Sequence, residues 1–561
     1  MNPPPTLPAL VRLAASTLVL ALAGCPDSET PSTADAAETS TAPDAADGAG
    51  TPDGVADTAT PPDIGAETSP DATPDPGPGD ADAAAPDAMV ADAEPDMTIT
   101  PDAATTDTGP DVPAPAPATW DPADFTTVYD VGPGHPYADP SEVPWESIGP
   151  STLVRIHWRA EPYRDKWVIN TEATETEPVV VLGVPSGSGA LPVISGDGAK
   201  TRQALSYWNE RRSIIKVGGS NLPSDTNVPS WVYIEGLHIE NAQPAYSFTD
   251  DGGSGDTYAG NAAAIHVEVG DHITVRGCVL RDAGNGLFSG SGSSNLALIG
   301  NHLYDNGIED SIYEHNSYTE SFGILFEGNY YGPLRAGCLG NNLKDRSAGT
   351  VIRYNWIESG NRQLDLVETD YTDFSSDPSY ATTYVYGNVL VEPEGAGNRQ
   401  IVHFGGDGGD TAMYRGTLFM FHNTIVSTRS GNNTVVRLST QSQSADIRNN
   451  IIYTLPNSGT LEVTTGTGTV DLAYNWIREG WVTAISPDGA VVNAVGNIDA
   501  AGEPGFADFD NGDYALASGS ACIDAGDTAG MPLPVMYEPA KPGVSPRPDD
   551  GAADMGALEA Q

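Results

Sequence analysis

The chain has 561 residues, 77 of them acidic against 25 basic, for a net charge of −52, and only 39% are hydrophobic and 7% aromatic. Apolar residues this scarce cannot be spread evenly around a core, so the chain must divide into parts of different kinds. So large an acidic excess excludes nucleic acid as an expected partner.

The first part runs from Met1 to Gly24, with Arg12 as its only charge and an uncharged run from Leu13 ending in Leu22-Ala23-Gly24-Cys25. That run is too short to span a bilayer as mature structure. It looks like a lipoprotein signal peptide, in which Cys25 becomes the lipid-bearing first residue of the mature protein; an ordinary signal peptide with an incidental cysteine is the competing reading. The resemblance implies an exported, membrane-anchored lipoprotein of the cell envelope or surface, held by acyl chains without a transmembrane helix. From Pro26 to Ala118 the sequence is nearly all Ala, Asp, Pro, Thr and Gly, with 21 acidic residues and no Lys or Arg. Such a segment cannot bury enough surface to fold. As a flexible coil it would average about 55 Å end to end, which reads as a tether over residues 25–118. Without the leader and tether, 56 acidic and 24 basic residues remain for a folded domain over 119–561, net about −32.

Besides Cys25 there are three cysteines, Cys278, Cys338 and Cys522, an odd number that does not suggest a disulfide framework. The fold is therefore expected to rest on its core. In that domain, strands are expected at Val154-Arg155-Ile156-His157 and from Pro178 to Pro185, followed by a turn near Ile194. From about residue 230 a unit recurs, an Asn flanked by apolar positions: Gly300-Asn301-His302-Leu303, Gly328-Asn329-Tyr330-Tyr331, Tyr354-Asn355-Trp356-Ile357 and Gly387-Asn388-Val389-Leu390. Copies follow at Asn423, Asn450, Asn475 and Asn497, and Cys278 and Leu237 mark earlier ones without the Asn. Spacings from Cys278 are 23, 28, 26, 33, 35, 27, 25 and 22 residues.

Short β-branched runs repeating at that period predict a β-solenoid, not a propeller with its blades of about 40 residues, nor a sandwich. The Asn is expected at the bend between two strands, where a residue tolerant of left-handed φ is needed and its amide can bond the same Asn one coil away. Ten copies at about 4.8 Å per coil stack to about 48 Å, enough for a groove holding several sugar units. Cys278 and Cys338, two coils apart, are too distant for a disulfide. Trp356 and Trp476 are expected in the core.

The opening strands, and the closing segments Asn511-Gly512-Asp513-Tyr514-Ala515-Leu516 and Ala521-Cys522-Ile523-Asp524-Ala525-Gly526, resemble those of β-helix polysaccharide lyases. The resemblance covers about residues 130–561. It implies an all-β, right-handed parallel β-helix of the pectate lyase-like superfamily and a polysaccharide as partner, handled by a monomer. The fold also hosts hydrolases, epimerases, adhesins and inert surface proteins.

A basic island stands out between Arg335 and Arg362: Arg335, Lys344, Arg346, Arg353 and Arg362 against Asp345 and Glu358. Salt bridges to neighbouring coils are one reading of it. Counted from the preceding Asn, however, Glu314 and His315, then Lys344 and Arg346, then Asp365 and Glu368, then Arg399 and His403 fall in adjacent coils on one side of the solenoid. Acid, imidazole, ammonium and guanidinium groups can converge there. A uronate lyase needs a base for the proton α to the carboxylate and positive charge for the carbanion-like intermediate. Lys344 or His315 can be that base, and Arg346 and Arg353 can hold the carboxylate, with Arg362, Arg399 and Glu314 as binding residues. The segment from Leu343 to Asn355 is similar to the catalytic coil of the chondroitinase B and alginate lyase family, which carries a Lys before the Asn and an Arg one coil later. Aligned on Asn355, those positions are Arg346 and Val367 here.

A glycoside hydrolase would use paired carboxylates instead, for which Asp365 and Glu368 are candidates. Asp407 and Asp410, among the glycines that follow Phe404, offer oxygen ligands for Ca²⁺, although a plain loop is the simpler reading. A non-catalytic carbohydrate-binding or adhesive surface protein remains the alternative to an enzyme.

Overall fold

Runs of three to six residues alternating apolar and polar side chains cannot bury one face alone; stacking each run on its counterpart a coil earlier removes that face from water. The computed structural model describes residues 119–219, 227–486, 489–548 and 551–560. The expected signal sequence, the expected lipidation site at Cys25 and the expected tether lie outside the described residues. The chain coils into a right-handed parallel β-helix with three ladders of parallel strands. One coil runs Phe322–Glu327, Tyr330–Tyr331, Leu343–Asp345, one strand for each ladder, and the next repeats it as Ala348–Arg353, Trp356–Glu358, Leu364–Leu366.

The second ladder, which follows each Asn, is an eleven-stranded sheet among the described residues. Its ten steps of about 4.8 Å give the expected height of about 48 Å. The first and third ladders belong to one larger network because Ala263–Arg276 and Asn285–Ile299 run through the corner between them. Inside, like stacks on like: Phe326, Ile352, Val385, Met420, Ile447 and Leu472 in the first ladder are all buried. Each such apolar side chain contributes about 1.5–3 kcal/mol by leaving water.

The asparagines form the expected ladder. The backbone N–H of Asn329 donates to Oδ1 of Asn355 at 2.9 Å, that of Asn355 to Asn388 at 2.8 Å and that of Asn388 to Asn423 at 3.0 Å, a pattern running from Asn301 to Asn497. Each Nδ2 also donates to a first-ladder carbonyl, as Asn388 does to Ile352. The left-handed residue, however, is the one before the Asn. Gly300, Gly328, Tyr354, Gly387, His422, Asn449, Tyr474 and Gly496 have φ between 49° and 66°. The Asn turns its amide inward along the stack, and its predecessor makes the bend.

The solenoid ends near Ile498–Ala500, and the following chain runs back over the corner between the first and second ladders. It grips the left-handed residues that carry side chains. The Met536 N–H donates to the Tyr354 hydroxyl at 3.0 Å, His422 Nδ1 meets the Asp554 carbonyl at 3.0 Å, and Asn449 bonds the backbone of Asp527 in both directions. Trp356 and Trp476 are buried, Trp356 stacking on Tyr514 of this segment. Cys278, Cys338 and Cys522 are free thiols, Cys278 and Cys522 buried and Cys338 half-buried.

Candidate active site

On a strand alternate residues share a face. In the third ladder Leu343, Leu364, Val402 and Val436 stack inward, and the residues between them form an outer row: Tyr318, Lys344, Asp365, His403 and Arg437, each opposite the next. Lys344, Asp365 and His403 are nevertheless buried, whereas Tyr318 and Arg437 are half-buried.

Asp365 sits at the centre. It accepts from Asn341 Nδ2 at 2.8 Å and bonds His403 Nδ1 at 2.9 Å, with Lys344 Nζ at 3.8 Å and an Arg362 nitrogen at 3.7 Å. Burial pushes its pKa up, but the His403 bond and the charges of Lys344 and Arg362 outweigh burial and hold the carboxyl well below the usual range. Burial, with Arg362 and Arg437 nearby, lowers the His403 pKa despite the Asp365 bond. A carboxylate only accepts, so Nδ1 carries the proton of the neutral ring and Nε2 is an acceptor. Nε2 lies 3.0 Å from Ser439 Oγ, whose hydroxyl then donates to it.

Arg346 donates from Nε to the Tyr318 hydroxyl at 2.9 Å and reaches the Glu368 carbonyl, with Asp370 at 3.8 Å. His315 packs edge-on against Tyr318, ring centroids 5.3 Å apart, and its Nδ1 accepts from the Asn341 N–H. Glu368 accepts from the N–H groups of Asp407 and Gly408, pinning the glycine-rich loop that follows Phe404; burial and the Asp407 charge raise its pKa. Arg362 donates to Gln400 Oε1 from two nitrogens, at 3.0 and 3.1 Å. Beneath the site Arg415 pairs with Asp345 at 3.0 Å, both fully buried.

Several expected members fall elsewhere. Arg353 is two residues before Asn355, on the first ladder, where it pairs with Glu327 and donates to the Tyr386 hydroxyl; it cannot hold a carboxylate at this row. Arg399 pairs with Glu462 at 3.2 Å. Glu314 is buried just before the third-ladder strand, its pKa raised by burial. Asp410 caps the short helical turn after it by accepting from the Ala412 N–H. Among the described residues, three His, Cys, Asp or Glu side chains converge at Asp130, His135 and His157, a group that does not include Asp407 or Asp410.

The sequence reading missed Tyr318, Arg437 and Ser439. Arg437 has no hydrogen bond or ion pair to another side chain among the described residues. Its only sequence signal was its place opposite His403, invisible without the register.

No protein-family model matches the chain, and no curated protein matches it in sequence. Among solved structures it is similar to pectate lyase Pel9A, at 11% identity and a TM-score of 0.42, over 78% of this chain and 97% of that one. It is also similar to a GH136 lacto-N-biosidase from Eubacterium ramulus, at 10% identity and a TM-score of 0.36, over 66% of this chain and 67% of that one. A third likeness is to an alginate lyase from Paenibacillus sp. str. FPU-7, at 11% identity and a TM-score of 0.33, over 66% of this chain and 98% of that one.

Proposed function

We propose that the protein is an enzyme that cleaves an acidic polysaccharide laid along the outer face of the third ladder, by β-elimination at uronate units. It would work at the cell envelope, anchored through lipid on Cys25. The observation that carries this reading is the row itself: Tyr318, Lys344, Asp365, His403 and Arg437 in one register, flanked by Arg346 and Arg362. Lys344 takes the proton α to the carboxylate, Arg346 and Arg437 bind that carboxylate, and the Tyr318 hydroxyl protonates the leaving sugar oxygen as the unsaturated product forms. On so acidic a domain, this local cationic excess is what gives an anionic chain a place to bind.

One observation favours a second reading, a non-catalytic glycan-binding or adhesive protein: Lys344 and Arg346 each have a carboxylate 3.8 Å away. The test incubates the full-length protein with uronate-containing and neutral polysaccharides, with and without Ca²⁺, following unsaturated-product absorbance and reducing ends together. Both signals should rise on a uronate polymer and fall in Lys344→Ala. Reducing ends without absorbance would mean hydrolysis, and silence across the panel would leave the binding protein.

A further inference from the structure

Three successive coils place Asp365, His403 and Ser439 in a chain of two hydrogen bonds, Asp365 Oδ1 to His403 Nδ1 at 2.9 Å and His403 Nε2 to Ser439 Oγ at 3.0 Å. The order and the ring nitrogens are those of a nucleophile, its base and the carboxylate that fixes the base's tautomer. The two supporting members are buried, while Ser439 is half-buried, so the serine is the member of the three nearest to solvent. We infer that Ser439 is a nucleophile and that this site hydrolyses carboxylic esters carried by an acidic sugar.

The surroundings fit acyl transfer. The Gly406 N–H donates to Ser439 Oγ at 3.1 Å and the Phe404 carbonyl lies 3.3 Å from the same oxygen, so the backbone at the strand end fixes the serine beside His403. A Cβ at Gly405, whose φ is 126°, would meet Ser439 Oγ at 2.9 Å, and one at Gly406 would meet the Tyr414 ring at 2.5 Å and Glu368 Oε2 at 2.6 Å. The glycines are what let the loop approach this serine. Arg437, opposite His403 in register and two residues before Ser439, brings a guanidinium not engaged by any carboxylate among the described residues. It supplies the charge that selects an ester whose sugar bears a carboxylate.

In the reaction Ser439 Oγ attacks the ester carbonyl carbon and its proton passes to His403 Nε2, giving a tetrahedral oxyanion. The bond from that carbon to the sugar oxygen breaks, and the sugar oxygen takes the proton from Nε2. Water then attacks the acyl-serine, giving its proton to Nε2. Collapse releases the carboxylic acid, and Ser439 recovers the proton. Asp365 stays ionised throughout and stabilises the imidazolium formed in each half.

The acidic-sugar part of the inference rests on the polysaccharide reading above; the nucleophile does not. The test treats the full-length protein with a fluorophosphonate and locates the adduct by mass spectrometry, and separately follows hydrolysis of p-nitrophenyl acetate and of an O-acetylated uronate polymer. The expected results are an adduct on Ser439, ester hydrolysis at least about 10³-fold slower in Ser439→Ala, and in Arg437→Ala a KM that rises about tenfold more for the acidic ester than for p-nitrophenyl acetate. Wild-type protein left unlabelled at Ser439, or ester hydrolysis undiminished in a folded Ser439→Ala, would overturn the nucleophile. Labelling with acetyl-ester hydrolysis but no action on the polymer would keep the nucleophile and reject the acidic glycan.

Discussion

The asparagine corner and the outer row of the third ladder are built on the same coils and obey opposite rules. At the corner one residue type recurs from Asn301 to Asn497, and every amide is satisfied by its neighbours. Along the row the residue changes at every coil, and charges meet in Asp365. Repetition spreads one solution to a backbone problem along the stack, whereas variation in strict register concentrates chemistry at one height. The comparison teaches that in a solenoid the position to inspect is the one where the repeat keeps its geometry and abandons its residue.

The contrast breaks most visibly at Lys344. Lys344→Ala should slow elimination by about 10²- to 10⁴-fold in initial-rate assays, and an unchanged rate would move the base elsewhere. Asn388→Ala should act the other way, leaving catalysis alone. It strips the acceptor from the backbone N–H and Nδ2 of Asn355 and the donor from the Ile352 carbonyl, at a cost of about 2–4 kcal/mol in urea unfolding. Equal stability would mean that the amide ladder merely accompanies the fold.

A third experiment sharpens the comparison through pH. Burial pushes the Glu392 pKa up to about 8, against the opposing Gln363 hydrogen bond and Arg429 charge. The native state thus keeps a proton that the unfolded chain releases near 4.5. That contribution to stability is complete below about 4.5 and is lost as pH rises through about 8. Glu392→Gln should flatten this decline in unfolding curves taken across the window; a slope equal to wild type would assign it to another group. The smallest effect belongs to Asp410→Ala, which removes a cap worth about 0.5–1 kcal/mol. Polymer cleavage should be the same with and without Ca²⁺, and loss of a Ca²⁺-dependent rate in this variant would place a cation in the loop.

The solenoid was legible because a short unit, usually centred on Asn, recurs with apolar neighbours, and the expected amide stack and a height of about 48 Å from ten copies follow from that recurrence. The bend was misplaced by one residue because the pattern Gly-Asn presents two residues tolerant of left-handed φ, and only the backbone shows that the first one uses it. The site was half legible. Lys344, Asp365 and His403 lie 15, 10 and 15 residues after their asparagines, near enough for their grouping to be read. Loop lengths that vary this much hide exact register, so Arg353 was drawn in from the first ladder. They also left Ser439, which stands just past a strand end beside an ordinary Thr, without any signal.

The returning C-terminal segment changes how such a molecule comes apart. Coils that touch only their neighbours fray one at a time, and their stability adds like links in a one-dimensional array. Here Gly543 bonds the Gly328 carbonyl, Met536 meets Tyr354, Asp554 meets His422 and Gly556 bonds Asn449, so one strap fastens the coils at Gly328 and Tyr354 to the more distant ones at His422 and Asn449. Opening any of them disturbs the same strap. The strap thereby couples the rungs beneath Lys344 and His403 into a shared melting unit, one that unfolds cooperatively where a bare solenoid would unzip.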